Sequence, residues 1–458
     1  MDVLLRSPLG GLLARPWLDR AGLFGLERWY FPLSRLWAAA NAAGTDSVRF
    51  REEVGAPLGA VWTDRRLRGV LERHAAQSRT AAQARSAWET ALFDGGAPGD
   101  AFVDAGLLDA RRRAAGSRHM AMRAAFYPLL FPRRPPAARW RIDAPAALED
   151  DLAAPLAEPE RLFRQPLDVA AVTVSRPFER GDVRERWLRA PTPANRLRRR
   201  PGSEHLYARL VEPRHGAAAA TLVLGSGLGL ELELLTLSHD PATRLAAQGW
   251  RVIEPIAPYH GLRATPGCYG GEPFYAEAPG AAIDLVAGHA LEWALLVAWC
   301  RASHGGPVAL SGISMTSFVA QQVASRCGLW PAEARPDAVM LISHSGSMED
   351  VTFDGALTLS LGLDQALVKA GWSRETLSRL SRLVDPAAEP ALPPTRIVSV
   401  LGETDRWLPF DDGLAVATAW RLPPANIFRY PLGHLGMPVQ LMRDAAPFER
   451  LRQVMEAA

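Results

Sequence analysis

The chain has 458 residues, of which 52 are basic and 49 acidic, so its formal net charge of +3 is near neutral for its length. Hydrophobic residues make up 48% of it and charged residues 22%, the balance of an ordinary globular protein rather than a disordered one. Almost every basic residue is arginine, with Lys369 the only lysine, and the arginines are spread out, so no nucleic-acid partner is expected.

The cysteines Cys268, Cys300 and Cys327 lie far apart and form no CxxC pair. That argues against a disulfide framework or a zinc site and fits a reducing compartment, so a cytoplasmic location is expected. No apolar run of about eighteen residues stands out, and no transmembrane helix is expected. The N-terminus lacks the charged, apolar and small-residue sequence of a secretory leader, so secretion is not expected.

Residues 1–131 read as a helical region. Leu33, Leu36, Trp37 and Ala40 share one helical face after Pro32, with Ser34 and Arg35 off it. Trp17, Trp29, Tyr30, Phe31 and Trp37 crowd a short span. They pack either against the rest of the protein or, as an amphipathic surface over residues 1–40, against a lipid interface. Residues 132–165, rich in Pro, Ala, Arg and acidic side chains, read as a linker with short helical pieces. The run Arg196–Arg200 reads as a solvated loop.

From residue 166 onward, strands and helices alternate. Expected strands are Val169 to Val174, His205 to Val211, Thr221 to Leu224, Arg251 to Pro255, Val308 to Leu310, Ala338 to Ser343, Arg396 to Leu401 and Ile427 to Tyr430. Helices are expected over Ala281 to Cys300, Ser314 to Cys327, Gly413 to Trp420 and from Pro447. Such alternation implies an α/β fold, a mostly parallel sheet flanked by helices, with ligands bound outside the carboxyl ends of the strands. Residues 350–392 interrupt it with apolar helices, including Leu357 to Leu363, and read as a lid inserted between late strands or as a static excursion.

The stretch Gly312-Ile313-Ser314-Met315-Thr316 follows a strand and opens a helix. It is nearly G-x-S-x-G, the turn that lifts a serine hydroxyl clear of a sheet, with Thr316 in place of the second glycine. A serine nucleophile needs a base, and the base needs an orienting acid. Asp405 follows the strand ending at Leu401, and His434 follows the strand ending at Tyr430. All three would meet at the carboxyl edge of the sheet, although each alone reads equally as a cap, a turn residue or a loop histidine. Glu349 and Asp350 are the substitutes for Asp405.

The turn Gly225-Ser226-Gly227-Leu228-Gly229 fails G-x-G-x-x-G, because Leu230 stands where the third glycine belongs. It reads better as an oxyanion loop, with backbone N–H groups near Ser226 or Gly227 joining that of Met315; a plain tight turn is the alternative. Tyr259, His260 and His344 follow strands and are candidates for the pocket mouth. Neither histidine belongs to a metal-ligating spacing, so no metal is expected.

The order of elements, with Gly312-Ile313-Ser314-Met315, Asp405 and Gly433-His434, resembles the α/β-hydrolase superfamily over about residues 165–458. More narrowly, Pro255-Ile256-Ala257-Pro258-Tyr259-His260-Gly261, the Gly-Ile-Ser-Met elbow and the segment Gly402 to Pro409 are similar to a group of abhydrolase-domain proteins of unassigned activity. The resemblance implies a triad of Ser314, Asp405 and His434 and no cofactor. That group usually has glycine where this chain has Thr316, and a β-branched residue there is expected to crowd the elbow helix. The expected function is a serine hydrolase cleaving a small-molecule carboxylic ester, a lipid or other acyl ester, through an acyl-enzyme. The alternatives are an acyltransferase on the same triad and a catalytically silent binding or scaffold protein of the same fold.

Overall fold

Short apolar runs punctuated by glycine and separated by helical segments dictate a sheet wrapped on both faces. The computed structural model describes residues 16–55, 63–93, 105–131, 134–229 and 240–456. Residues 1–15 of the expected lipid-facing surface lie outside the described residues, as do residues 132–133 at the start of the expected linker.

The described residues form a ten-stranded sheet. Its strands are β1 (Thr173–Val174), β2 (Phe178–Arg180), β3 (Val183–Pro191), β4 (His205–Pro213), β5 (Ala220–Leu224), β6 (Trp250–Pro255), β7 (Val308–Ile313), β8 (Ala338–Ile342), β9 (Ile397–Gly402) and β10 (Ile427–Tyr430). The spatial order is β1-β3-β4-β6-β5-β7-β8-β9-β10, with β2 also paired to β3. From β6 to β10 every pairing is parallel, while β3, β4 and β6 pair antiparallel. The chain lays β6 on one side of β5 and β7 on the other, so the winding reverses between β5 and β7. That reversal opens a crevice at their carboxyl ends.

Two differences from expectation have physical reasons. Val169–Ala171 is a 3-10 turn rather than strand, because the Asp168 carboxylate accepts the N–H of Ala171. β3, with the sequence VRERWLRAP, shows no apolar alternation, yet it pairs with β4 along its whole length. Its Glu185 is buried and holds the guanidinium of Arg209 on β4 with both oxygens at 2.9 Å. Glu254 on β6 binds the same guanidinium at 2.9 Å. Buried charges of this kind persist only when paired and hydrogen-bonded.

The N-terminal residues form α1 (Pro16–Gly25), a π-helical turn at Leu26–Tyr30, and the helices α2 (Phe31–Ala43), α3 (Ser47–Val54), α4 (Asp64–Phe93) and α5 (Ala105–Ala121). α2 is buried on nearly every side, including Ser34 and Arg35, which were expected off its buried face. Phe31 and Trp37 are buried with it, whereas Trp17 and Trp29 are exposed. The helix α6 (Gly280–His304) is buried from Gly280 through Cys300. By length and composition it passes as a membrane span, but its most apolar window is 100% buried inside the protein, where it is the core helix. All three cysteines are free and buried.

Arg35 ties α2 to the sheet domain. Its guanidinium meets the Glu272 carboxylate at 3.1 Å, and both side chains are 1% exposed. Removing the cation leaves a buried carboxylate held only by the backbone N–H groups of Arg139 and Tyr269. Arg35→Ala is therefore expected to cost about 3–5 kcal/mol, read as a lowered midpoint of urea unfolding.

Candidate active site

β7 ends at Ile313, and the helix α7 (Met315–Arg326) begins two residues later. Ser314 between them has φ 55° and ψ −121°, a region costly for any residue but glycine. Its N–H donates to the carbonyl of Ile342 at 3.0 Å, and its carbonyl accepts the N–H of Ser317 at 2.9 Å. These bonds hold the backbone in that conformation and lift the side chain off the sheet edge.

The hydroxyl points at His434. Oγ of Ser314 lies 2.9 Å from Nε2, and Nδ1 of His434 lies 2.8 Å from Oδ2 of Asp405. Oδ1 of Asp405 accepts the N–H groups of Trp407 at 2.9 Å and Leu408 at 3.2 Å, which fixes the carboxylate. The indole of Trp407 stacks on the imidazole at 4.9 Å and 15°. Asp405 and His434 are both buried. Glu349 and Asp350 face Arg374 instead, at 3.7 and 3.5 Å.

Thr316 does not displace the elbow. It is fully buried, and its hydroxyl donates to the carbonyl of Ile313 and accepts the N–H of the same residue, each at 3.1 Å. The room it needs comes from two glycines. A Cβ on Gly225 would lie 2.6 Å from Oγ1 of Thr316, and one on Gly312 would lie 2.2 Å from its carbonyl oxygen. The expected crowding is relieved because the loop after β5 carries no side chain at Gly225.

That loop runs beside the serine. Among the described residues, the N–H groups of Ser226, Gly227 and Met315 donate to no protein acceptor. Its far end is clamped at Gly229, whose N–H donates to Nε2 of His260 at 3.0 Å and whose carbonyl accepts the Tyr30 hydroxyl at 3.0 Å. Tyr259, His260 and His344 do not line the cavity over Ser314. The Tyr259 hydroxyl is spent on the carbonyl of Ala281, and the second nitrogen of His260 meets the carbonyl of Pro258. His344 lies between Gln321 and Ser399. Burial pushes the pKa of His260 down to about 4 and that of His344 to about 3, so both are neutral supports behind the site.

The cavity over Ser314 spans about 780 Å³ of space, the open solvent at its mouth included. Ser314, Met315 and Phe318 form its floor, and Trp407 and Leu408 one wall. Its roof comes from α8 (Met348–Asp354), α9 (Ala356–Leu361), α10 (Leu363–Lys369) and α11 (Arg374–Ser378). Among the described residues, no charged side chain lines it. The hydroxyls of Thr352 and Thr358 turn away to the carbonyls of Met348 and Gly355 at 2.7 Å each. Trp407 and the pairing of Gly225 with Thr316 escaped the sequence reading; an aromatic two residues after the acid was the one available signal.

Gly225→Ala is expected to drive Cβ into Thr316 and Trp293 and to cost about 1–3 kcal/mol. Adding Thr316→Gly should restore part of that loss in the thermal midpoint, since the Trp293 contact at 2.7 Å remains. Strict additivity of the two changes would contradict the coupling.

No protein-family model and no curated protein sequence matches the chain. Among solved structures it is similar to an acetyl xylan esterase from Paenibacillus sp. R4, at 13% identity over 67% of this chain and 94% of that one, with a TM-score of 0.43. It is also similar to a cold-adapted esterase from an Arctic intertidal metagenomic library, at 17% identity over 61% and 97%, with a TM-score of 0.39. A third is brefeldin A esterase, described as a bacterial homologue of human hormone sensitive lipase, at 19% identity over 69% and 85%, with a TM-score of 0.39. Likeness at these levels says nothing about activity or substrate. The strand order, the serine turn after β7, and the acid and histidine that follow β9 and β10 give this chain the α/β-hydrolase fold.

Proposed function

We propose that the protein is a serine hydrolase that cleaves a carboxylic ester through an acyl-enzyme. The observation that carries this reading is the unbroken relay from Ser314 through His434 to Asp405 at the floor of a cavity without charged walls. Ser314 Oγ attacks the ester carbonyl carbon while its proton passes to Nε2 of His434. Asp405 keeps the other ring nitrogen protonated and stabilises the imidazolium. The oxyanion is held by the N–H of Met315 and those near Ser226 and Gly227, whose lack of a protein acceptor supports that role. Collapse expels the alcohol, which takes the proton back from His434. Water, deprotonated by the same base, then attacks the acyl-enzyme and releases the acid.

The apolar lining supports an acyl chain as the moiety bound, because nothing in it would pair with a charged group. The helices α8 to α11 act as a lid over that chain. Trp17 and Phe24 on α1 are exposed, and α1 touches α9. Both facts support peripheral contact of this edge with a lipid surface.

A series of p-nitrophenyl esters tests the reading. The value of kcat/KM is expected to rise from acetate to medium and long chains, and Ser314→Ala is expected to lower kcat by about 10⁴-fold or more. A best rate on acetate overturns the acyl-chain assignment, and full activity in Ser314→Ala overturns the mechanism.

The pH profile gives a second expectation. Burial disfavours the imidazolium of His434, but the Asp405 carboxylate, and then Asp19, outweigh it and raise its pKa above the ordinary 6.5. The base works only when neutral, so kcat/KM should fall as pH drops through a midpoint above 6.5. A midpoint below 6.5 contradicts the charge arrangement.

A further inference from the structure

α1 reaches the histidine loop from the opposite end of the sequence. Oδ2 of Asp19 accepts the N–H of His434 at 2.6 Å, and Oδ1 accepts the N–H of Leu435 at 2.8 Å. These donors lie just ahead of the helix α12 (Gly436–Arg443), where backbone N–H groups lack intrahelical partners and an anion is favoured. Asp19 is only 9% exposed, and a carboxylate so placed needs these partners.

Both sides of the contact are shaped for it. A Cβ on Gly433 would lie 2.2 Å from Oδ2 and 2.5 Å from Cγ of Asp19, so a side chain there would evict the carboxylate. A Cβ on Gly22, three residues along α1, would lie 2.1 Å from Cδ1 of Leu435. Gly433 is thus the seat of a carboxylate on another element, which accounts for the glycine beside His434.

Asp19 also bears on the imidazole through its charge. Around His434 stand Asp405 at Nδ1, Ser314 at Nε2, the Trp407 ring over one face and Asp19 at its backbone. The two carboxylates, from α1 and from the loop after β9, are the charged groups that act on it.

We infer that Asp19 is a positioning residue of the triad: it anchors the backbone of His434 so that Nε2 stays on Ser314, and it adds a second negative charge in support of the imidazolium. The N-terminal helix is thereby part of the catalytic apparatus. This inference rests on the triad reading above, and it gives Asp19 no contact with substrate.

The test compares full-length wild type, Asp19→Asn and Asp19→Ala, with folding followed by circular dichroism. Asparagine keeps the shape and one accepting oxygen but removes the charge. The first readout is the titration of His434 by NMR on protein carrying ¹³C-labelled histidine, assigned with His434→Asn. The second is kcat and KM on a p-nitrophenyl ester. In both Asp19 variants the His434 titration is expected to move to lower pH. The value of kcat should fall about ten- to a hundredfold with KM within about twofold, Asp19→Ala losing more than Asp19→Asn. An unmoved titration overturns the inference, whether kcat is unchanged or kcat and KM worsen together, as they would from a merely structural role. If Asp19→Ala fails to fold, Asp19→Asn decides. The titration needs no turnover, so the two readings fail separately. A wild type that cleaves no ester while Asp19→Asn still shifts His434 sinks the hydrolase reading and leaves the anchoring in place.

Discussion

The backbone of Ser314 is the constraint on which the site depends. A non-glycine residue at φ 55° and ψ −121° costs roughly 1–3 kcal/mol, and it persists only where the surroundings over-determine it. Here they do. The neighbouring strand takes its N–H, and both the N–H and the hydroxyl of Ser317 bond its carbonyl. Thr316 locks the turn from inside through Ile313. In the usual form of this turn a second glycine provides clearance within the elbow. In this chain the clearance is supplied from outside, by Gly225 on the loop after β5. The elbow and the loop after β5 are therefore fitted to each other, and neither is adjustable alone.

The N-terminal helices belong to the same fitted arrangement. Arg35 pairs with Glu272 beside the loop that carries His260, Tyr30 holds the carbonyl of Gly229, and Asp19 holds the backbone of His434. Tyr30 and Asp19 thus reach the two loops that flank Ser314, and Arg35 anchors the segment behind one of them. Polar contacts are concentrated in these supports, and the cavity itself is left apolar. A low-dielectric cavity with fixed dipoles at one end strengthens each charge interaction made there.

The parallel half of the sheet was legible because its strands are continuous apolar runs ended by glycine or a polar turn, the pattern of strands buried on both faces. Ser314, Asp405 and His434 were legible as candidates because each follows such a run. The antiparallel edge was not. β3 carries Arg184, Glu185 and Arg186 in succession near its start, and it is held by cross-strand ion pairs that only the register with β4 reveals. The supports were equally hidden. His260 and His344 had the same sequence context as pocket residues, and their hydrogen bonds to Gly229, Gln321 and Ser399 are what set them behind the site. Asp19 had no local signal at all, because its partners lie 415 and 416 positions away.

The central claim is that Ser314 is an activated nucleophile, and covalent capture tests it most directly. Purified protein would be treated with a fluorophosphonate and digested, and the modified peptide mapped by mass spectrometry. A single phosphonyl adduct on Ser314, formed by wild type and abolished in His434→Ala, is the predicted result. Folded wild type that stays unlabelled, or an adduct on a different residue, would contradict the account.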